Sequence, residues 1–177
     1  MLVVSAQLAF SQVMLKTNLL YHTLVRGAAI AFEVATPKRS SINLYAAFGS
    51  NGDLALADTY TFQNLIVEKR FYKKSTNIFQ GVYLAPYAKY MHRQIYKEAL
   101  HGSIITTKGR DSNGHSLGLG TAVGLQVPNR FIKRTFVDAF LGGGYLVYLD
   151  ESDAKNPGQS RFGHVDLRAG LSVGYLF

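Results

Sequence analysis

The residues best suited to nucleophilic or metal chemistry are histidines, serines and aspartates in segments that we predict to be loops. The five histidines lack the His-x-x-x-His spacing of a helical zinc site. A serine and an acid could approach a histidine where predicted loops meet, although any three loops would permit such a grouping. The candidates are Ser116, Ser152 and Ser160 with Asp111 and Asp153. A rim enzyme stays an alternative, and we expect no catalytic residue, no metal and no cofactor.

A larger polar set has a regular spacing, because its eight charged residues fall on one side of alternating segments. They are Lys16, Glu33, Glu68, Arg70, Lys89, Asp138, Asp166 and Arg168. Four are basic and four are acidic, so opposite charges can pair across a narrow interior and close it. We predict a plugged polar lumen, with a path for protons or small ions as the alternative.

The alternation that positions these residues is clearest at residues 165–177. Apolar residues there alternate with polar or small ones, which is the period of a β-strand with one apolar face. Segments 117–127 and 137–147 repeat the pattern with glycine on the opposite face, where a narrow barrel leaves little room. Five weaker segments precede them, giving eight antiparallel strands in all. Those five are Val13–His22, Arg26–Ala35, Ser41–Phe48, Tyr60–Tyr72 and Ile78–His92.

Composition restricts the class of protein. The 177 residues fit one domain, and 11 tyrosines, 11 phenylalanines and 17 glycines against 4 prolines favour strands. No apolar stretch approaches the roughly 18–20 residues of a membrane helix. The absence of cysteine excludes disulfides and thiolate sites. An apolar face opposite a polar or small one predicts an all-β, eight-stranded, up-and-down transmembrane β-barrel with lipid outside.

The predicted connections differ in length and charge. Short turns are predicted at Thr36–Ser40, Lys73–Asn77 and Pro128–Arg134, and long loops at Gly49–Thr59, Arg93–Gly114 and Asp150–Arg161; the first connection, Thr23–Val25, is also brief. The short turns carry basic residues and no acid: Lys38, Arg39, Lys73, Lys74, Arg130, Lys133 and Arg134. Such a surface suits anionic lipid or a docking partner. This asymmetry predicts that the short turns and both termini are periplasmic.

The longest predicted loop is the best binding candidate. It carries Arg93, Lys97, Lys108 and Arg110 among apolar side chains. A basic loop with apolar residues could meet lipopolysaccharide phosphates or another protein, and loops on a rigid barrel often carry function. The alternative is an extension of the strands with a solvated tip.

The first twelve residues resemble the end of a secretory signal. Met1–Gln12 runs from apolar to small residues, although a basic start is missing, and an ordinary first strand is the alternative. We therefore expect residues 1–12 to be a signal remnant or N-terminal extension and residues 13–177 to form the barrel.

Three short stretches carry a family resemblance. Leu15–Tyr21, with the sequence Leu-Lys-Thr-Asn-Leu-Leu-Tyr, resembles the opening strand of a Bacteroidota family of uncharacterised small outer-membrane barrels. Glu68-Lys69-Arg70 resembles that family's inward Glu-x-Arg, and Gly170–Phe177 resembles its last strand. The terminal Tyr175 and Phe177 look like the signal read by the outer-membrane insertion machinery. The resemblance implies the outer membrane of a Gram-negative bacterium and supplies no substrate.

These observations together predict a small non-enzymatic outer-membrane protein that is a structural or accessory component, with a subunit of a larger envelope complex as one form of that role. Expected partners are outer-membrane lipids and lipopolysaccharide, the insertion machinery and other envelope proteins, with no nucleic acid. One alternative is a soluble lipocalin-like barrel, in which apolar residues would line the cavity. The other is the rim-loop enzyme.

Overall fold

The computed structural model describes residues 12–24, 26–54, 57–73, 79–97, 100–101, 106–107, 110–153 and 162–177. Almost all of them lie in strands. In chain order the elements are β1 (Val13–Asn18), α1 (Leu19–Leu24), β2 (Gly27–Thr36), β3 (Ser40–Leu54), β4 (Ala57–Tyr72), β5 (Gly81–Lys97), β6 (Leu100–His101), β7 (Thr106–Thr107), β8 (Arg110–Pro128), β9 (Thr135–Asp153) and β10 (Gly163–Leu176).

Eight of these strands close into a ring in the order β1, β10, β9, β8, β5, β4, β3, β2, and every neighbouring pair is antiparallel. Strand β1 closes the ring against β10, from Met14 opposite Leu176 to Asn18 opposite Ser172. The short strands β6 and β7 pair only with each other. The predicted eight-stranded, up-and-down antiparallel barrel is confirmed.

The two faces of the wall have opposite polarity. Successive residues of a strand point to opposite sides, so in β8 Leu119 is 72% exposed while Ala122 is 2% exposed. Large apolar side chains cover the outside, whereas charged and polar side chains are buried inside. A lipocalin-like barrel would have the reverse arrangement, so that alternative is wrong for the described residues.

Glycines on one strand make room inside the lumen for large side chains of the neighbouring strand. A Cβ atom at Gly124 would lie 2.3 Å from Cζ of Tyr83, and one at Gly120 would lie 2.3 Å from Cζ of Tyr87. These glycines are on β8, and the tyrosines are on β5. The glycine-rich face predicted from residues 117–147 thus makes room for the tyrosines.

The predicted long loops are wrong over much of their length, because the strands continue into them. Strands β3 and β4 stay paired from Ser50 opposite Thr61 to Leu54 opposite Ala57. Likewise, β5 and β8 stay paired to Lys97 opposite Arg110, and β9 runs to Asp153. The apolar alternation ends where the side chains become polar. The backbone hydrogen bonds between the strands do not depend on that alternation and continue beyond it.

The predicted end of the first strand is also wrong. The observed strand β1 stops at Asn18, and the helix α1 replaces the predicted strand over residues 19–22. The side-chain oxygen of Asn18 accepts a hydrogen bond from the backbone N–H of Leu20 at 3.0 Å, which is the bond of a helix N-cap. The strand predicted from Ile78 begins at Gly81 instead. Residues 1–11 of the expected signal lie outside the described residues.

No helix in the described part of the chain has the length and apolar character needed to cross a membrane.

Candidate functional site in the lumen

All eight charged residues predicted to face inward are buried, and none is more than 7% exposed. They project from six strands, β1, β2, β4, β5, β9 and β10, because each occupies the inward phase of its strand. The ring therefore brings together residues from both ends of the chain.

Arg70 is at the centre of the network. Its Nη1 atom lies 2.7 Å from Oδ2 of Asp138 and 3.3 Å from Oε2 of Glu33, and its Nη2 atom lies 2.9 Å from Oε2 of Glu68. The guanidinium also lies over the ring of Tyr83, 4.4 Å from its centroid. One buried cation thus holds three carboxylates, a geometry that the planar donor fork of arginine suits well.

Lys16 is a second cation on the same acids. Its Nζ atom contacts the carboxylate of Glu33, lies 3.0 Å from Oδ2 of Asp138 and donates to Oε1 of Gln126 at 2.5 Å. Gln126 in turn donates from Nε2 to the backbone oxygen of Phe79 at 3.0 Å. This end of the lumen is therefore filled by side chains that bond one another across the barrel.

The network continues toward α1. Nη2 of Arg168 lies 2.7 Å from Oε1 of Glu68, which connects it to the Arg70 group. The Arg168 guanidinium lies over the ring of Tyr87 at 4.4 Å. The Tyr87 hydroxyl donates to Asp166 at 2.8 Å, and Asp166 pairs with Lys89 at 2.6 Å. The four basic and four acidic residues thus form one connected, formally neutral chain.

Neutral residues that our sequence reasoning did not select complete the network. Tyr72 donates to Glu33 at 2.5 Å, Tyr83 donates to Asp138 at 2.7 Å, and Asn43 donates to Glu68 at 3.0 Å. Ser41 also donates to Glu33. Tyr72 shares the phase of Glu68 and Arg70 on β4, and Tyr83 shares that of Lys89 on β5, so the same alternation could have identified these two tyrosines.

The lumen changes character beside α1. An apolar cluster there includes Tyr45, Phe62, Ile66 and Met91, and Tyr21 of α1 packs against it. The Tyr21 ring lies 5.7 Å from that of Phe62, edge to face. A cavity of about 380 Å³ remains between this cluster and the nearest charged residues.

Two buried polar atoms at this cavity have no hydrogen-bond partner: Oδ1 of Asn64 and Nη1 of Arg168. Both residues line the cavity and are at least nine-tenths buried. Unpartnered buried polar atoms cost free energy and often mark a site that takes a ligand or water. The cavity is therefore the part of the interior best suited to binding.

Both ends of the predicted basic loop, residues 93–97 and 110–114, belong to strands β5 and β8. Arg93 and Lys97 are half-buried on β5, Arg110 begins β8, and Lys108 lies outside the described residues. Arg93 shares the inward phase of β5, lies over the ring of Tyr148 at 5.0 Å and lines the cavity. The structure thus assigns Arg93 to the cavity rather than to a loop tip.

Residues 1–177 match the family described as "Protein of unknown function (DUF3575)". The chain belongs to this family. No curated protein matches it. A solved crystal structure of a major outer membrane protein from Thermus thermophilus is similar over 94% of this chain and 98% of the other, with 16% identity and a TM-score of 0.45.

The candidate nucleophile Ser116 does not lie at a nucleophile elbow. Gly-x-Ser-x-Gly spacing occurs at Gly114–Gly118 and Gly170–Gly174, but each stretch lies within a continuous strand, not at a strand–turn–helix elbow. The Ser116 hydroxyl is buried and donates to the backbone oxygen of Met91 at 3.3 Å. The neighbouring His115 points outward and stacks on His92 at 4.4 Å. Ser160 lies outside the described residues, as does the side chain of Asp153, and no group of three or more potential metal ligands is found among the described side chains.

The terminal aromatic residues lie on the outer face. Tyr175 and Phe177 are exposed, and their rings meet edge to face at 5.2 Å. This arrangement provides an aromatic pair at the end of the barrel that holds the short turns.

Proposed function

We propose that this protein is a non-conducting barrel that spans the outer membrane of a Gram-negative bacterium as a non-enzymatic structural or accessory component. The observation that supports this most strongly is the reversal of polarity, with large apolar side chains outside and a paired charge network inside. An apolar solvent favours that arrangement, because in water so large an apolar outer surface would be unfavourably hydrated and prone to aggregate.

The outer face has the height of a bilayer core. In β10 the outward residues are apolar from Val165 to Tyr175, a span of 11 residues, and a tilted transmembrane strand needs about 9–11. Aromatic residues border this band. Tyr90, His92 and His115 form a stacked group on the outer face toward one end, and Tyr175 with Phe177 lies at the other. Such aromatic girdles are typical of membrane interfaces.

The charge of the turns supports an orientation with the short turns in the periplasm. Six exposed basic residues border that end: Lys38, Arg39, Lys73, Arg130, Lys133 and Arg134. Each would gain about 1 kcal/mol near an anionic phospholipid surface. Because they surround the rim, lipid head groups are the partners we expect there.

The lumen supports the non-conducting part of the proposal. Lys16 of β1 and Arg70 of β4 both contact Asp138 of β9, and Arg168 of β10 contacts Glu68 of β4, so the paired groups cross the interior. An eight-stranded barrel has room only for side chains or one small ligand.

Two measurements test this proposal. The protein should appear in the outer-membrane fraction and migrate faster on a gel when unheated than when boiled; a chain that stays soluble without detergent would contradict it. In planar bilayers the folded barrel should show no steady conductance. A reproducible ohmic current would instead favour the ion path.

We also propose that the protein has an accessory role in an envelope complex. The exposed basic residues at the short turns form the surface that favours this role. Affinity purification in mild detergent should recover a stoichiometric envelope protein. Recovery of this partner should fall when Lys38 and Arg39 are both changed to serine. It should not fall when Lys69, which points outward from β4, is changed to serine. Purification of the barrel alone would limit its partners to lipids.

A further inference from the structure

The barrel wall is incomplete on one side. Strand β1 has 6 residues, and its pairing with β10 ends at Asn18 opposite Ser172. Strand β10 begins nine residues earlier, at Gly163. Within the described residues its Gly163–Leu171 edge has no strand partner on that side, and α1 lies beside it instead.

Part of this edge lies at the height of the apolar band. Val165 and Leu167, on the outer face of the same stretch, are 67% and 82% exposed. An open sheet edge is not tolerated against hydrocarbon, because its backbone groups would lack partners, but it is tolerated where it lines a cavity. The unpaired backbone groups of this edge therefore need a cavity or a ligand beside them.

The 380 Å³ cavity lies at this edge. Its lining includes the inward Asp166 and Arg168 and the outward Leu167 and Ala169, all on β10. Because alternate residues lie on opposite faces, a cavity that touches both faces passes around the edge of the strand. The other edge of β10 is paired with β9, so the opening lies on the α1 side.

The lining combines two kinds of chemistry. Three basic residues, Lys89, Arg93 and Arg168, face one acid, Asp166. Nη1 of Arg168 and Oδ1 of Asn64 have no hydrogen-bond partner, and an unused guanidinium N–H is a donor for a carboxylate or phosphate. Apart from His164, the remaining lining is aromatic or apolar, from Leu20 and Tyr21 of α1 to Phe62 and Met91.

We propose that this cavity binds a single-chain anionic amphiphile that enters from the bilayer between α1 and β10. Its anionic head group accepts from Nη1 of Arg168 near Lys89, and its chain lies against Leu20, Leu167 and Ala169. The volume is within the range of roughly 300–1,000 Å³ for small-molecule sites and favours one acyl chain over two. This rests on the membrane location proposed above, since only a bilayer supplies such a ligand laterally.

The test measures binding of decanoate to the full-length folded barrel in non-ionic detergent, by native mass spectrometry and by titration. Acetate and 1-decanol are the matched probes, because one lacks the chain and the other lacks the charge. Asn64→Asp places a second negative charge in the cavity without changing shape. Asn129→Asp, in the turn at the opposite end, is the matched control. The unheated gel shift verifies folding of each variant.

One equivalent of decanoate should bind to the wild type and to Asn129→Asp, with Asn64→Asp at least about tenfold weaker through like-charge repulsion. Acetate and 1-decanol should also bind at least about tenfold more weakly than decanoate. Ala169→Trp, which narrows the opening without altering a charge, should reduce decanoate binding similarly.

No saturable binding of decanoate to the wild type overturns the proposal, as does equal binding by Asn64→Asp and the wild type. Acetate bound as tightly as decanoate would overturn the lateral entry of a chain, and 1-decanol bound as tightly would overturn the anionic head group. Since the assay is made in detergent, its failure is distinct from failure to find the protein in the outer-membrane fraction.

Discussion

Near the short turns the lumen is filled by paired charges, whereas beside α1 it is filled by aromatic and small apolar side chains around a cavity. In the first half, Arg70 alone contacts three carboxylates. In the second, Asn64 and Arg168 each keep a buried polar atom without a partner. Paired charges that cross the interior rigidify a core, while unsatisfied groups beside free volume leave it able to accept a ligand. The difference indicates that one half holds the barrel closed and the other is available for binding.

Removing the central cation should produce the largest effect. Arg70→Met would leave Glu33, Glu68 and Asp138 with fewer partners in a buried site, so we expect a loss of about 3–5 kcal/mol in the free energy of unfolding. Urea unfolding in detergent, followed by circular dichroism, measures it. Arg130→Met, at an exposed turn position, should change little. Equal stability of the two variants would show that the charge network does not hold this half together.

Two buried asparagines allow the halves to be compared directly. Asn43 and Asn64 each have a buried Oδ1 without a partner, but Asn43 also donates to Glu68 at 3.0 Å. Asn43→Leu should therefore cost about 1.5–3 kcal/mol, the range for a hydrogen bond to a charged group. Asn64→Leu removes an unpartnered oxygen and should stay within about 1 kcal/mol of the wild type. Similar losses in both variants, measured by the same urea titration, would remove the distinction between the halves.

The wall behind Tyr87, where the halves meet, offers a smaller test of packing. A Cβ atom at Gly144 would lie 2.5 Å from the backbone oxygen of Leu119 and 2.8 Å from Cα of Gly120. The backbone must therefore shift, and Gly144→Ala should cost about 1–3 kcal/mol. At the adjacent, outward Gly143 the nearest atom would be 3.7 Å away, so Gly143→Ala should be neutral or slightly stabilising. Matching melting temperatures would show that the wall is not packed against the tyrosines.

Strand number and the charged side of the wall were predictable because both follow from a period of two. Glu68 and Arg70 share a phase opposite Val67, and Asp166 and Arg168 share one opposite Leu167. The strand ends were not predictable in this way, because polar ladders such as Ser50 with Thr61 carry no apolar signal. The helix α1 was missed because its apolar residues continue the strand pattern, although Asn18 is a good N-cap.

The cavity could not be predicted from periodicity. Strand β5 has apolar residues on both faces, such as Tyr83 and Leu84, so hydropathy alone does not distinguish them, and only the phase of Lys89 indicates that Tyr83 points inward. The gap in the wall depends on the register of β1 with β10 and on the early end of β1, which are properties of the closed ring. Asn64, Arg168 and Tyr21 meet there only because that ring closes.

The smallest effect should come from the turn that ends the charged half. Lys38 and Arg39 have φ of 64° and 57°, in the left-handed region that disfavours non-glycine residues. Arg39→Gly should relieve this strain and stabilise the barrel by about 0.5–1 kcal/mol in detergent, after the entropy that glycine costs. Arg130, in another short turn, has no positive φ, so Arg130→Gly removes the same charge and should stabilise nothing. An equal response of the two variants would mean that charge, not backbone conformation, sets their stability. A gain confined to Arg39→Gly would show that the charged half is stable enough to hold a strained basic turn at the rim, where the proposed orientation places anionic lipid.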